Sequence, residues 1–206
     1  MKSELFQAYL DHQIFRVLES PVTFASGILS PVYCDNRKIL GFPALRTAVL
    51  NGLIAFVRPK AKALDGIVGV ATGGIAWATL LAQTCQLPLG YVRKEAKGHG
   101  TQTCVEGLSV NQKKILLFED CLTTGQSAID VLNILKEEGA TISAIVSVFD
   151  YGFLPQEKRK TICPCSWESL IIFSQLIAYM MESERISKSQ FDMLMQWHQK
   201  TLTSIN

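Results

Sequence analysis

The chain has 206 residues, 48% hydrophobic and 18% charged, a balance that builds one ordinary folded domain and excludes a disordered chain. A net charge of +2 gives no general electrostatic reason to expect nucleic acid or an anionic membrane surface as the partner. The N-terminus MKSELFQAYLDHQIF lacks the apolar stretch of a signal peptide, and no run elsewhere reaches membrane-spanning length, so a cytoplasmic protein is expected.

Leu5, Phe6, Tyr9, Leu10 and Phe15 recur at helical spacing and predict a helix over residues 3–18 behind a Ser3 cap. TFASGILSPVYCDNR, broken by Gly27 and Pro31, predicts strands joined by turns. Pro43 opens a helix through ALRTAVLNGLIAFVR, and Pro59 helps to end it. GIVGVA reads as a buried strand, TGGIAWATLLAQTCQ as a glycine turn and helix, and LPLGYVRK as the next strand, followed by a long polar loop. KKILLFED is a further strand. It feeds the helix AIDVLNILKEEG, which stops at a glycine, and ISAIVSVFDY follows as another strand. Apolar strands alternating with helices predict an α/β domain with a central, mostly parallel sheet flanked by helices. Two amphipathic packing helices are predicted to close the chain, from SWESLIIFSQLIAYMMES to QFDMLMQWHQ, the second beginning near Ser189.

A parallel sheet places its ligand sites beyond the carboxyl ends of its strands. Three segments fall at that edge: the turn at Gly73 and Gly74, the loop RKEAKGHG, and EDCLTTGQS. In the last, Thr123, Thr124, Gly125, Gln126 and Ser127 open a helix, where free backbone amides and the helix dipole favour a phosphate. Glu119 and Asp120 would repel that same dianion, so on this reading they accept hydrogen bonds from sugar hydroxyls next to it. The stretch alone is equally consistent with acids that close a strand and an ordinary, well-capped helix start. It is not a nucleoside-triphosphate loop, because no GxxxxGK[ST] occurs, and GVATGG lacks the dinucleotide spacing. Arg93, Lys94, Lys97 and His99, with Gly98 and Gly100 as hinges, are either a solvated charged face or a cationic lid that stabilises a departing pyrophosphate.

The remaining chemistry-bearing residues have plainer roles. Cys34, Cys85, Cys104, Cys121, Cys163 and Cys165 read as thiols rather than disulfides, and CPC has no second pair at zinc-site spacing. His12 and His198 read as surface or packing histidines, and Trp77, Trp167 and Trp197 as core or interface.

In order and approximate spacing, FASGILSPVYCDNRKI, GVATGGIAWATLL, YVRKEAKGHG and FEDCLTTGQSAIDVL resemble the type I phosphoribosyltransferases, and more closely their orotate branch. The resemblance runs from about Leu5 to Gly152 and weakens in the closing helices. It implies a single domain over 1–206, with hood elements at about 1–40, a core at about 41–160 and C-terminal helices at about 166–203. It further implies transfer of ribose 5-phosphate from phosphoribosyl pyrophosphate to orotate, in pyrimidine synthesis. By position, Glu119, Asp120, Cys121, Leu122, Thr123, Thr124, Gly125, Gln126 and Ser127 match the phosphoribosyl cradle. Thr123, Tyr33 and Cys34 match the orotate pocket. Arg93, Lys94, Lys97 and His99 match a catalytic basic loop that reaches the neighbour's site across a homodimer. Magnesium is implied as cofactor, held mainly by substrate oxygens rather than by a protein cage. Three positions depart from the family's pattern: neither Ala25 nor Leu29 is the lysine usual in the early segment, and Gln126 replaces a small residue. FDYGFLP carries no arginine of the kind that some relatives offer the orotate carboxylate. Two other functions are weighed against this one: a regulatory relative that binds a phosphoribosyl compound without turnover, and transfer to another base. The basic loop favours the enzyme, and SPVYCDNR favours orotate.

Overall fold

The computed structural model describes residues 2–93 and 105–205. Helix α1 (Lys2–Asp11) leads into a hairpin of β1 (Phe15–Thr23) and β2 (Leu29–Cys34), and α2 (Pro43–Val57) follows. The main sheet is built from β3 (Gly66–Val70), β4 (Leu89–Val92), β5 (Val105–Glu106), β6 (Lys114–Leu122), β7 (Thr141–Asp150) and β8 (Ser166–Ile172). Helices α3 (Gly73–Cys85), α4 (Gln126–Glu137), α5 (Gln156–Ile162), α6 (Phe173–Glu182) and α7 (Lys188–Ile205) complete the chain. Strand order is β5-β4-β3-β6-β7-β8, all parallel except the short edge strand β5, while β1 and β2 form a separate antiparallel pair. The predicted α/β architecture is therefore present, with helices on both faces.

Alternation along β6 shows how one sequence feeds two cores. Leu116 and Phe118 pack on the side of α2, α3 and α6, while Ile115 and Leu117 pack on the side of α4. All four are fully buried, each stabilising the fold by about 1.5–3 kcal/mol relative to exposure. Trp77 fills the first core and is also fully buried.

Two element boundaries differ from the sequence expectation. The first helix ends at Asp11 instead of running to residue 18. Gln13 adopts a left-handed conformation (φ 52), and the Gln13 and Ile14 amides donate to the Leu10 and Tyr9 carbonyls at 2.9 and 3.0 Å. This is a Schellman closure without its usual glycine. Phe15 thus begins a strand, its side chain in the core. The segment from Ser166 to Ile172 is a strand alongside β7, not the first turns of a helix, because Ile171 is needed in the core beside Phe149. Helix α5, absent from the sequence expectation, is short and polar up to Ile162, and its one buried residue is Arg159.

Arg159 is 4% exposed, as is Asp150 at the end of β7. The guanidinium donates to Asp150 Oδ2 at 2.6 Å and to the Leu154 carbonyl at 2.9 Å, and lies 5.5 Å from the Trp167 ring. The other Asp150 oxygen accepts the Gly152 amide at 2.7 Å. One ion pair thereby fixes the whole crossing from β7 to α5. His198 on α7 docks on this crossing, donating from Nε2 to the Tyr151 carbonyl at 2.6 Å while stacking between Phe153 and Phe173.

Arg159→Met is expected to destabilise the protein by about 3–5 kcal/mol, because it leaves the Asp150 carboxylate buried without its partner. Urea unfolding measures this, and a loss below about 1 kcal/mol would show the pair to be dispensable.

Candidate active site

The carboxyl ends of β3, β4 and β6 converge under the β1–β2 hairpin, and between them lies a cavity of about 1010 Å³. Its floor is the Ala71–Thr72–Gly73 turn after β3 and the Glu119–Asp120 pair in β6; its roof includes Arg16 and Leu18 of β1 and Tyr33 of β2. A smaller cavity of about 270 Å³ adjoins it and is lined by the bend from Thr123 to Ser127. Glu119, Cys121, Thr123 and Ser127 border both.

The bend is built by Gly125, whose φ of +78° a side chain would disfavour, and which stands at the N-cap of α4. No side chain caps the helix. Its first-turn amides have no partner within the helix and point at the smaller cavity's position, where the helix dipole adds positive potential. Thr124 Oγ1 lies 3.4 Å from the Gln126 amide. Gln126 itself turns along the helix, donating from Nε2 to Asp130 at 2.7 Å, so its bulk does not fill the bend. Leu122 is buried in the core on the α4 side.

Asp120 projects against the turn after β3. A Cβ on Gly73 would lie 2.4 Å from its carboxylate, and one on Gly74 would lie 2.7 Å from the Phe118 carbonyl oxygen, so only glycines permit this approach. Glu119 is 6% exposed, and its Oε1 accepts the Asp120 amide at 3.1 Å. The main chain of the pair is tied to the hairpin segment. Asn36, 1% exposed, donates from Nδ2 to the Asp120 carbonyl at 2.6 Å and accepts the Tyr9 hydroxyl.

Tyr33 and Cys34 both line the large cavity, but they differ chemically. The Tyr33 hydroxyl accepts from Arg37 at 3.4 Å, and Arg37 also donates to Asp35 at 2.7 Å, holding that carboxyl below its usual range. Cys34 Sγ lies 3.3 Å from the Tyr9 hydroxyl. Its contact with Cys121, together with burial, pushes the Cys121 thiol well up, so Cys121 is not a thiolate nucleophile near neutral pH. Arg93 lines the cavity and pairs with Glu106 at 2.5 Å, while its Nε is buried without a hydrogen-bond partner. Lys94, Lys97 and His99 lie outside the described residues. Among the described residues, no three His, Cys, Asp or Glu side chains stand together as a metal cage.

Several cavity residues escaped sequence reasoning. Arg37 and Asn36 lay in the quoted DNR and gave a weak signal, whereas Arg16, Thr72 and the contact of Gly73 with Asp120 depend on tertiary placement alone.

An α/β sheet edge that sets a carboxylate pair beside an amide-lined bend, under a separate hairpin, defines a sugar-phosphate-binding domain of the phosphoribosyltransferase class. The family model described as the phosphoribosyl transferase domain matches residues 47–178. The orotate phosphoribosyltransferase of Staphylococcus aureus (strain Mu50) is 32% identical over 198 residues, covering 96% of this chain and 98% of that relative. The crystal structure of orotate phosphoribosyltransferase from Aeropyrum pernix superposes with a TM-score of 0.75 at 28% identity, covering 85% of this chain and 97% of that one. Leishmania donovani UMP synthase shares the fold at a TM-score of 0.83 and 22% identity; 97% of this chain is covered, which spans 42% of that longer one. The chain belongs to the phosphoribosyltransferase family, in its orotate phosphoribosyltransferase branch.

Gly73→Ala is expected to displace the Asp120 carboxylate and weaken phosphoribosyl pyrophosphate binding about tenfold by calorimetry, a loss of the size of one charge-assisted hydrogen bond. Unchanged affinity would remove Asp120 from sugar recognition.

Proposed function

We propose that this protein transfers ribose 5-phosphate from phosphoribosyl pyrophosphate to N1 of orotate, giving orotidine 5′-monophosphate and pyrophosphate. The observation that carries this reading is the juxtaposition of the Glu119–Asp120 pair with the amide-lined bend in one continuous site. The near full-length match to an orotate phosphoribosyltransferase favours it over a regulatory binder or transfer to another base.

The chemistry follows from where each donor stands. First-turn amides of α4 and the hydroxyls of Thr123, Thr124 and Ser127 hold the 5-phosphate. Glu119 and Asp120 accept from the ribose hydroxyls, and their negative charge favours the cation-like sugar carbon that forms as the bond to pyrophosphate breaks. Arg93 and the loop carrying Lys94, Lys97 and His99 take up the charge growing on pyrophosphate. Orotate attacks from beneath the hairpin, next to Tyr33 and Cys34. No covalent nucleophile is needed, in keeping with a Cys121 thiol that stays protonated.

Magnesium suits this donor set. Asp120 offers a hard oxygen above a turn that a single Cβ would obstruct, and the ion's preference for water and phosphate oxygens fits a site with few protein ligands. When bound, it neutralises charge on the pyrophosphate. The active form is a homodimer in which residues beyond Arg93 reach the neighbour's site, while Arg93 stays in the wall of its own cavity. A net charge of +2, and the absence among the described residues of a helix long and apolar enough to cross a membrane, support a cytoplasmic enzyme acting on small molecules.

A spectroscopic assay with phosphoribosyl pyrophosphate, magnesium and a panel of bases tests the proposal: orotate alone is consumed, and persistence of orotate at every magnesium level refutes it. Lys97→Ala is expected to lower kcat by about 10²–10³ while sparing affinity for ribose 5-phosphate, and an unchanged rate would take the loop out of the mechanism. Mixing inactive Lys97→Ala chains with inactive Asp120→Ala chains should restore about a quarter of wild-type activity, since half of the dimers are hybrids with one intact site. No recovery would place the loop and cradle of each site on the same subunit.

A further inference from the structure

The hairpin roof carries a cation that the reaction described above leaves unused. Arg16 stands directly opposite Tyr33 in the β1–β2 register, so the two side chains share a face. Alternation along β1 sends Phe15 and Val17 to the core and Arg16 and Leu18 into the large cavity. The Arg16 guanidinium is exposed, and among the described residues it makes no hydrogen bond and no ion pair.

Among the described residues, the other cationic side chains that line this cavity each already carry an ion pair. Arg37 is held by Asp35 at 2.7 Å, and Arg93 by Glu106 at 2.5 Å on the β4 side. Arg159, the first arginine after β7, is buried against Asp150 at 2.6 Å and lines neither cavity. Orotate brings a carboxylate next to the nitrogen that joins the ribose. With the 5-phosphate in the bend at residues 123–127 and the ribose over Glu119 and Asp120, the base extends away from the bend, toward the hairpin. An anion placed there among Asp35, Glu119 and Asp120 needs a cation, and a guanidinium matches a carboxylate with two parallel hydrogen bonds.

Resting on the proposed orotate activity, we infer that Arg16 is the specificity-determining residue that binds the carboxylate of the acceptor base. Orotidine 5′-monophosphate and uridine 5′-monophosphate differ only in that carboxylate, so calorimetry with both nucleotides isolates the contact. The wild-type protein is expected to prefer orotidine 5′-monophosphate. Arg16→Leu should lower affinity for it about tenfold to a hundredfold, the range for a charge-assisted hydrogen bond, while affinity for uridine 5′-monophosphate stays within about twofold. Arg16→Lys should recover part of the preference, as a point charge without the planar fork.

An Arg16→Leu variant that keeps the wild-type affinity for orotidine 5′-monophosphate overturns the inference, and so does a parallel loss for both nucleotides, which marks Arg16 as a support of the hairpin. Wild-type binding of uridine 5′-monophosphate as tight as that of orotidine 5′-monophosphate also refutes it, leaving ribosyl transfer itself in place. Wild-type binding of neither nucleotide refutes the proposed function and this inference together.

Discussion

A phosphate and two carboxylates repel one another, yet this site needs all three within the length of one nucleotide. The fold resolves the conflict by dividing the labour between main chain and side chains. On the proposed reading, the phosphate faces backbone amides at the start of α4, which carry partial positive charge and cannot be titrated away. The carboxylates lie upstream in the same connection, separated from the bend by Cys121 and the buried Leu122. In the proposed site a ribose is the neutral spacer between them, its hydroxyls meeting the acceptors on one side and its phosphate ester the amides on the other. Phosphoribosyl specificity is in this sense a consequence of charge placement along nine residues.

That placement depends on contacts far away in sequence. Asn36 grips the Asp120 carbonyl and is itself oriented by Tyr9, so α1 and the segment after β2 set the position of the acid pair. Tyr9 is fully buried, and burial raises its hydroxyl's pKa well above the usual value, which keeps it a hydrogen-bond donor. Trp197 of α7 donates to the Leu29 carbonyl at 2.9 Å and His198 to that of Tyr151, tying the closing helix to the hairpin and to the end of β7. Each such bond adds roughly a net 0.5–1.5 kcal/mol, but an orphaned buried partner costs about 1–3 kcal/mol, so losing one partner harms the hood more than the intact bond stabilises it. These ties anchor the hairpin that carries Tyr33 and Arg16 over the large cavity.

What could be read from the sequence divides along physical lines. Strands β3, β6 and β7 were legible because burial on both faces leaves short apolar runs between turn residues. The acid-and-bend element was legible because all its chemistry is contiguous. The end of α1 was not, since Gln13 adopts a conformation that glycine usually signals. Strand β8 was hidden because Leu170, Ile171 and Ile172 run without a break into the apolar face of α6, so the change of period has no marker. Asn36, Gly73 and Arg16 share a different obstacle. Nothing in their local pattern states that a β3 turn will touch a β6 carboxylate, or that a hairpin residue will face the cavity.

The departures from the family pattern are not equivalent once placed. Leu29 is 61% exposed and lines neither cavity, and its carbonyl rather than its side chain is used, by Trp197, so the absence of lysine there removes nothing from the site. Ala25 borders both cavities, and a lysine at that position would have put a charge beside the acid pair. Gln126 spends its side chain on Asp130 and leaves the bend to its own amides. Only Ala25, then, changes the electrostatics of the pocket. The cavity keeps the carboxylates of Asp35, Glu119 and Asp120, and a pocket proposed to admit an anionic donor and an anionic acceptor is favoured by cations in its lining. The roof strand offers one at Arg16, opposite Tyr33 and in the lining of the large cavity. Charge absent from one strand of the hood is thus present on another, and the sheet beneath is unaltered.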